Sequence, residues 1–281
     1  MSSLVFNHES ALEYIHAHGN DIEKARIDHI ISGVKPSSAL QRSLKNKQNK
    51  DGGFPFQGVK GRPSTLSDTT FTLSWLDDLG LMPTDTSIRA LDFIASRQLK
   101  DGSWDEDPAI NSCNPPPWMK PGVTAVVVFC TASALFWLIG DGKTERVPQG
   151  LQFLARHQAP SGAFAGFRHN TWLAVAVMGM LRGWGTPGVR QGLDYLASIP
   201  AGQWVPSQLS WMLWTFLKGG IPAGCSFFCR MFGLLLQKQN SDGSFLAEDG
   251  PEYAVNATIE ALKVAHHALR GGIVDAASHN P

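Results

Sequence analysis

The sequence predicts an all-α chain, an α/α toroid of about five to six helical hairpins, and three observations lead there. A short Gln-to-aromatic signature recurs along the 281 residues, each copy follows an amphipathic stretch, and a more apolar stretch follows each copy. A composition of 43% hydrophobic and 17% charged residues is ample for one large core. Lys+Arg and Asp+Glu balance at 24 each, so no net field favours nucleic acid or an anionic surface.

Taken in order, residues 8–32 supply helices that close the repeat array, and residues 1–35 are read as N-terminal helices packing on a barrel formed by residues 36–281. The first copy, QNKDGGF (Gln48 to Phe54), is followed by SDTTFTLSWLDDL and then by the amphipathic SIRALDFIASRQ. The second, QLKDGSW (Gln98 to Trp104), leads into the Pro-rich stretch from Asp105 to Pro121, a length typical of rim or lid loops. Asp105, Glu106 and Asp107 read there as a solvated loop with some capping role. Next come VTAVVVFCTASALFWLI and VPQGLQFLARHQ, then the third copy QAPSGAF (Gln158 to Phe164) and NTWLAVAVMGML. A degenerate copy, SIPAGQW (Ser198 to Trp204), precedes SQLSWMLWTFL, and the last, QNSDGSF (Gln239 to Phe245), precedes NATIEALKVAHHAL. In every copy Gly lies four residues after the first position and the aromatic two after Gly.

Glycine suits a turn after a helix C-terminus, where left-handed backbone is needed. The Gln is expected to bond backbone groups freed at that end, and the aromatic to pack back on the hairpin. Alternating amphipathic and apolar helices imply an outer and an inner ring, each hairpin burying its face against its neighbours. The charge-free run Gly122 to Gly140 is nineteen residues long, but its Thr, Cys and Ser and its Pro-rich flank fit a helix buried in protein rather than a membrane span. Four irregularly placed cysteines and no apolar leader point to the cytoplasm.

The pattern Q-x-x-D-G-x-W/F resembles the QW motif of squalene-hopene cyclases and related terpene cyclases, and more loosely the repeats of protein prenyltransferase β subunits. It covers roughly residues 37 to 270. The resemblance implies a toroid enclosing an apolar pocket. In the cyclases it implies a DxDDT motif whose middle Asp protonates an alkene; here the matching run is Thr65-Leu66-Ser67-Asp68-Thr69, with Ser67 at the acid and Asp68 retained. Asp68 stands at a helix start, where capping competes with acid chemistry. The zinc set of the prenyltransferases maps onto Ala223, Cys225 and Val255 or Asn256, so neither a metal nor another cofactor is expected. Asp77 and Asp78 lack the third acid of a magnesium-binding DDxxD.

Inner helices of a toroid run in one direction, so their N-termini share one end of the cavity. That rule places Asp68 and His169 as candidate catalytic groups, the imidazole because it titrates near neutrality. Phe71, Trp75, Thr124, Asn170, Trp172, Gln208, Trp211, Tyr253 and Asn256 are the candidate substrate-binding residues. Their aromatic faces stabilise a developing carbocation and also fill apolar space. The expected function is an enzyme, a cyclase, isomerase or lyase, that closes or rearranges an isoprenoid or other apolar polyene, with a concerted, acid-free ring closure as a variant. The expected partner is an apolar small molecule, with no nucleic acid and no transmembrane segment; peripheral membrane contact is compatible. The alternative is a non-catalytic carrier module or a partner-dependent subunit.

Overall fold

The computed structural model describes residues 6–272, so the outermost ends of the spans 1–35 and 36–281 lie outside the described residues. The helices are α1 (His8–His18), α2 (Asp21–Ser32), α3 (Ser38–Lys47), α4 (Leu66–Asp78), α5 (Asp85–Ser96), α6 (Thr124–Gly140), α7 (Val147–Arg156), α8 (Arg168–Arg182), α9 (Pro187–Ser198), α10 (Pro206–Lys218), α11 (Ser226–Leu236) and α12 (Ala254–Arg270). One antiparallel pair of two-residue strands, β1 (Phe54–Pro55) and β2 (Ser64–Thr65), brackets the loop before α4. The chain is thus all-α, and consecutive helices pair into hairpins.

Two compact units divide it, residues 36–192 and residues 1–35 with 193–281. In the first, α6 packs on α4, α7 and α8, which bury most of its length. The charge-free run is therefore core, and among the described residues no helix is long and apolar enough to cross a membrane. In the second, α12 packs on α10, α1 and α2, around Ala11, Ile15, Ile27, Ile259 and Leu262. The N-terminal helices belong with the C-terminal hairpins. Asn7 caps α1, and an Asn20–Glu23 capping box starts α2, as their sequences direct.

The repeated turn works through three contacts that recur in all four full copies. The Gln side chain donates to the carbonyl of its own turn glycine and to a carbonyl at the start of another helix: Gln48 to Gly52 and Thr86, Gln98 to Gly102 and Arg146, Gln158 to Gly162 and Gly188, Gln239 to Gly243 and Asn7, at 2.7–3.4 Å. The Gln thus bonds backbone at its own turn, as expected, and in addition reaches the start of another helix, so it also links hairpins. The carbonyls of the helix end itself are taken by backbone N–H groups of the turn, as Gln48 to Lys45 and Arg97 to Ile94 show.

The turn glycines have φ between +87° and +92°, and a Cβ at any of them would strike backbone of the facing helix, at Arg89, Gln149, Gln191 and Ser10. In each copy that helix is the one the Gln grips. Finally, the aromatic's N–H donates to a threonine hydroxyl on the following inner helix: Phe54 to Thr69, Trp104 to Thr131, Phe164 to Thr171 and Phe245 to Thr258, at 2.9–3.0 Å. The fourth turn binds α1 as the earlier turns bind α5, α7 and α9. The degenerate copy keeps a buried Trp204, but its Gly202 has open space around it.

Candidate active site

Within residues 36–192, α4 is split lengthwise. Leu66, Thr69, Thr70, Leu73 and Leu76 are buried on one side, while Asp68, Phe71, Thr72 and Trp75 follow one another at helical spacing on the other. Phe71 is 50% exposed and its ring lies 5.1 Å from that of Trp75, half-buried one turn on. An acid and two aromatic faces therefore share a helix side that the core does not fill.

The start of α4 is heavily constrained. Thr65 is the N-cap; its hydroxyl accepts from Asp68 N–H at 2.9 Å and donates to Asp68 Oδ2 at 2.6 Å. The Gln57 N–H also donates to this carboxylate, from a residue in the left-handed region at φ +55°. A non-glycine residue held there costs about 1–3 kcal/mol, which the surrounding contacts must outweigh. Burial nevertheless pushes the Asp68 carboxyl above its ordinary value, against the two hydrogen bonds that favour its charge.

Glu106 joins this helix end from the loop after Trp104. It is 1% exposed, and its two oxygens accept the N–H groups of Leu66 (2.7 Å) and Ser67 (2.9 Å). The loop's capping role is as expected, but a solvated Glu106 is not. Trp104 is pinned inside by Thr131 and by its indole N–H to the Ile94 carbonyl, which draws the residue two positions later inward as well. Burial raises Glu106 to about 6, with the Asp68 charge contributing. Behind it, the buried Cys130 thiol is pushed well up by desolvation and by the charges of Glu106 and Asp105. Asp105 is itself raised by burial while accepting from Gly122 and Glu106 N–H groups.

The other candidates divide between the two units. In residues 36–192, Thr124 opens α6 in an exposed position. His169 is half-buried, its ring 4.4 Å from the fully buried Trp172. Asn170 is fully buried and its amide donates to the Ala125 and Ala165 carbonyls, tying α8 to α6; its Oδ1 has no hydrogen-bond partner among the described residues. In the other unit Gln208 donates to Glu248 at 2.5 Å, Trp211 is half-buried on α10, and Tyr253 is 51% exposed before α12. Asn256 accepts from the buried Arg26 at 2.7 Å.

None of α6, α8, α10 and α12 has a side-chain N-cap, so polar residues at their starts are not there as caps. Sequence reasoning also missed a buried ionic network in this second unit. Arg26 bonds Glu260, Glu260 pairs with Lys263 at 2.6 Å, and the Lys263 ammonium lies 4.4 Å from the Trp214 ring centre. The Glu260/Lys263 spacing of three was its only signal in the sequence.

Comparison with known proteins agrees with this architecture. No family model matches the chain. Lanosterol synthase from Candida albicans is 30% identical over 129 residues, which are 45% of this chain and 17% of that enzyme. The chain thus spans less than a fifth of that curated relative. The type II terpene cyclase MstE from Scytonema superposes with a TM-score of 0.62 at 12% identity, over 95% of this chain and 98% of that one. ent-Copalyl diphosphate synthase from Streptomyces platensis gives 0.53 at 16% identity, over 87% and 50% of the respective chains. Structures of MstE variants hold geranylgeranyl dihydroxybenzoate as substrate and merosterolic acid A as product. The chain has the terpene cyclase-like fold, a helical toroid.

Proposed function

We propose that this chain is an enzyme that binds an isoprenoid or other apolar polyene and starts its cyclisation or isomerisation by proton transfer from Asp68. The observation that carries the reading is the side of α4 on which the Asp68 carboxyl, raised by burial, precedes Phe71 and Trp75 at helical spacing. The Asp68 O–H gives its proton to one alkene carbon, forming a C–H bond from the π electrons and leaving a cation on the other carbon. A second alkene attacks that cation to close a ring, and the final cation loses a neighbouring proton, which restores the acid. Phe71 and Trp75 present ring faces whose quadrupole stabilises the migrating charge. His169, Trp172, Thr124 and Asn170 on the neighbouring helices of this unit, with the Asn170 Oδ1 as a hydrogen-bond acceptor, complete the proposed surroundings of the substrate. Gln208, Trp211, Tyr253 and Asn256 are proposed as substrate-binding residues of the other unit, taken by itself. The substrates of the structural neighbours support an apolar chain with a polar head as the class to test first, and the four free thiols suit a reducing compartment such as the cytoplasm.

Ser67, standing where the resemblance puts the acid, favours a second reading: a carrier, or a subunit of a larger assembly, holding the same ligand without chemistry. Incubation with linear prenyl diphosphates, prenylated benzoates and squalene should yield cyclised products. Asp68→Asn should lower that yield by two orders of magnitude or more while still retaining substrate. Retention of polyene with no turnover by the native chain would favour the carrier, and full activity of Asp68→Asn would leave Asp68 a first-turn structural residue.

A further inference from the structure

We propose that the groove between α3 and the loop joining β1 to β2 is an anion site that takes a diphosphate group. It lies within residues 36–192, has a volume of about 540 Å³, and is walled by Arg42, Ser43, Asn46 and Lys47 of α3 and by Gly58 and Lys60 of the loop. The four α3 residues recur at helical spacing on one side of that helix, while Leu44, its buried residue, holds the other side to the core. Three cations and two neutral side chains with N–H or O–H donors thus line one hollow, and no carboxylate lines it. A diphosphate spreads its charge over two phosphoryl groups and can meet cations on both walls at once, the Arg42 guanidinium as a two-pronged donor and the lysines as point charges.

The balanced charge of the whole chain conceals a local excess here. Residues 36–62 contain six of its 24 basic residues and one of its 24 acids, Asp51. That acid is engaged elsewhere: it accepts from Gly53 N–H at 3.1 Å and the Ser64 hydroxyl at 2.8 Å, and it pairs with Arg97 at 3.2 Å. Lys45 pairs with Asp85 at 3.1 Å, and Arg62 donates to the Gln57 side chain at 2.7 Å. Arg42, Lys47 and Lys60, the three cations of the groove, have no ion pair among the described residues. The macrodipole of α3 favours Lys45 and Lys47 in its last turn, but it accounts neither for Arg42, more than one turn earlier, nor for Lys60 on another segment. The loop wall is held in place. Gln57 (φ +55°) and Gly58 (φ +65°) are consecutive left-handed residues, Val59 and Arg62 N–H groups close turns onto Phe56 and Val59, and the Arg62 guanidinium lies 5.5 Å from the Phe56 ring centre. Lys60 therefore loses little backbone freedom when it binds. The same loop carries the Gln57 N–H to Asp68, so the anion lies on the segment that touches the proposed acid, although the site itself does not depend on that reading.

Isothermal titration calorimetry of the full chain with inorganic diphosphate tests the site. Binding should saturate at one per chain, exceed that of inorganic phosphate, and weaken as salt is raised. Arg42→Gln and Lys60→Gln should each weaken diphosphate about tenfold. Lys50→Gln removes a cation of the same stretch that does not line the groove, and should change the affinity by less than about twofold. Arg42, Lys50 and Lys60 are all exposed, so each variant should keep the native melting temperature. Two further arms identify the source of the group. A linear prenyl diphosphate that binds more tightly than diphosphate, and loses affinity in the same two variants, makes it the head of a substrate. Vesicles containing phosphatidylinositol bisphosphate that hold the native chain until diphosphate displaces it make it a lipid headgroup, and either result supports the groove. No saturable diphosphate binding, or equal weakening by Lys50→Gln, overturns the proposal. Retention on phosphatidylglycerol vesicles without diphosphate binding overturns it as well, since a diffuse basic surface then explains the charge.

Discussion

Gly102→Ala should destabilise the chain by about 3 kcal/mol, and the figure follows from the second repeated turn. Gly102 has φ +90°, and an added Cβ would lie 2.6 Å from the Gln149 carbonyl oxygen and carbon, backbone atoms of α7 that cannot swing aside. Holding alanine in left-handed backbone costs about 1–2 kcal/mol by itself. Relieving the overlap requires α7 to move away from the turn, which weakens the Gln98 bond to the Arg146 carbonyl (2.9 Å), worth about 1 kcal/mol more. Urea denaturation followed by circular dichroism should show a lower midpoint at unchanged slope, and a melting temperature lower by roughly 6–12 °C. Gly202→Ala is the matched control: the same motif position in the degenerate copy, with nothing within 4 Å of the new methyl and no left-handed backbone. It should change stability by less than about 0.5 kcal/mol. If the two variants are equally destabilised, the turn glycines are not retained for close approach between hairpins and the account of the repeat is wrong.

Thr131→Val removes the hydroxyl that accepts the buried Trp104 N–H and should cost about 1–3 kcal/mol in denaturant titration, with Thr131→Ser recovering most of it. Glu260→Gln removes the carboxylate between the buried Arg26 and Lys263 and should cost about 3–5 kcal/mol, read as a drop in melting temperature at neutral pH. Glu106 also has a stability signature. Because its folded value, about 6, lies above its ordinary 4.5, the folded chain holds this proton more tightly than the unfolded one. Its contribution therefore falls as pH rises from about 4.5 to about 6, by roughly 2 kcal/mol in all, and returns on acidification. The native-minus-Glu106→Gln difference in unfolding free energy, followed from pH 4 to 7, should decline across that window; a flat difference would contradict a buried, raised carboxyl.

Much of the fold was legible because it repeats. Four copies of Gln, Gly and aromatic at fixed spacing mark where helices end, and the alternating hydrophobic pattern marks inner against outer helices, since both signals are local to a few turns of chain. The candidate site was legible only where its residues share a helix. Asp68, Phe71 and Trp75 are related by helical spacing, so one sequence window contains the face they form. Glu106 is 40 residues from Leu66, and Arg26 is 234 from Glu260, so no local pattern announces either pairing.

The threonines under the aromatics show the same limit from another side. Thr69, Thr131, Thr171 and Thr258 do one job, but at 15, 27, 7 and 13 residues from their aromatics, so the loop lengths conceal the repeat. The sequence by itself determined the helices, their turns and their inner or outer character, because these depend on residues within hydrogen-bonding reach along the chain. Only the tertiary structure decided what the Gln grips, which carboxylate is driven inside and which charges meet. Those outcomes depend on backbone from another hairpin arriving at the same place, and on the cost of leaving a buried polar group without a partner.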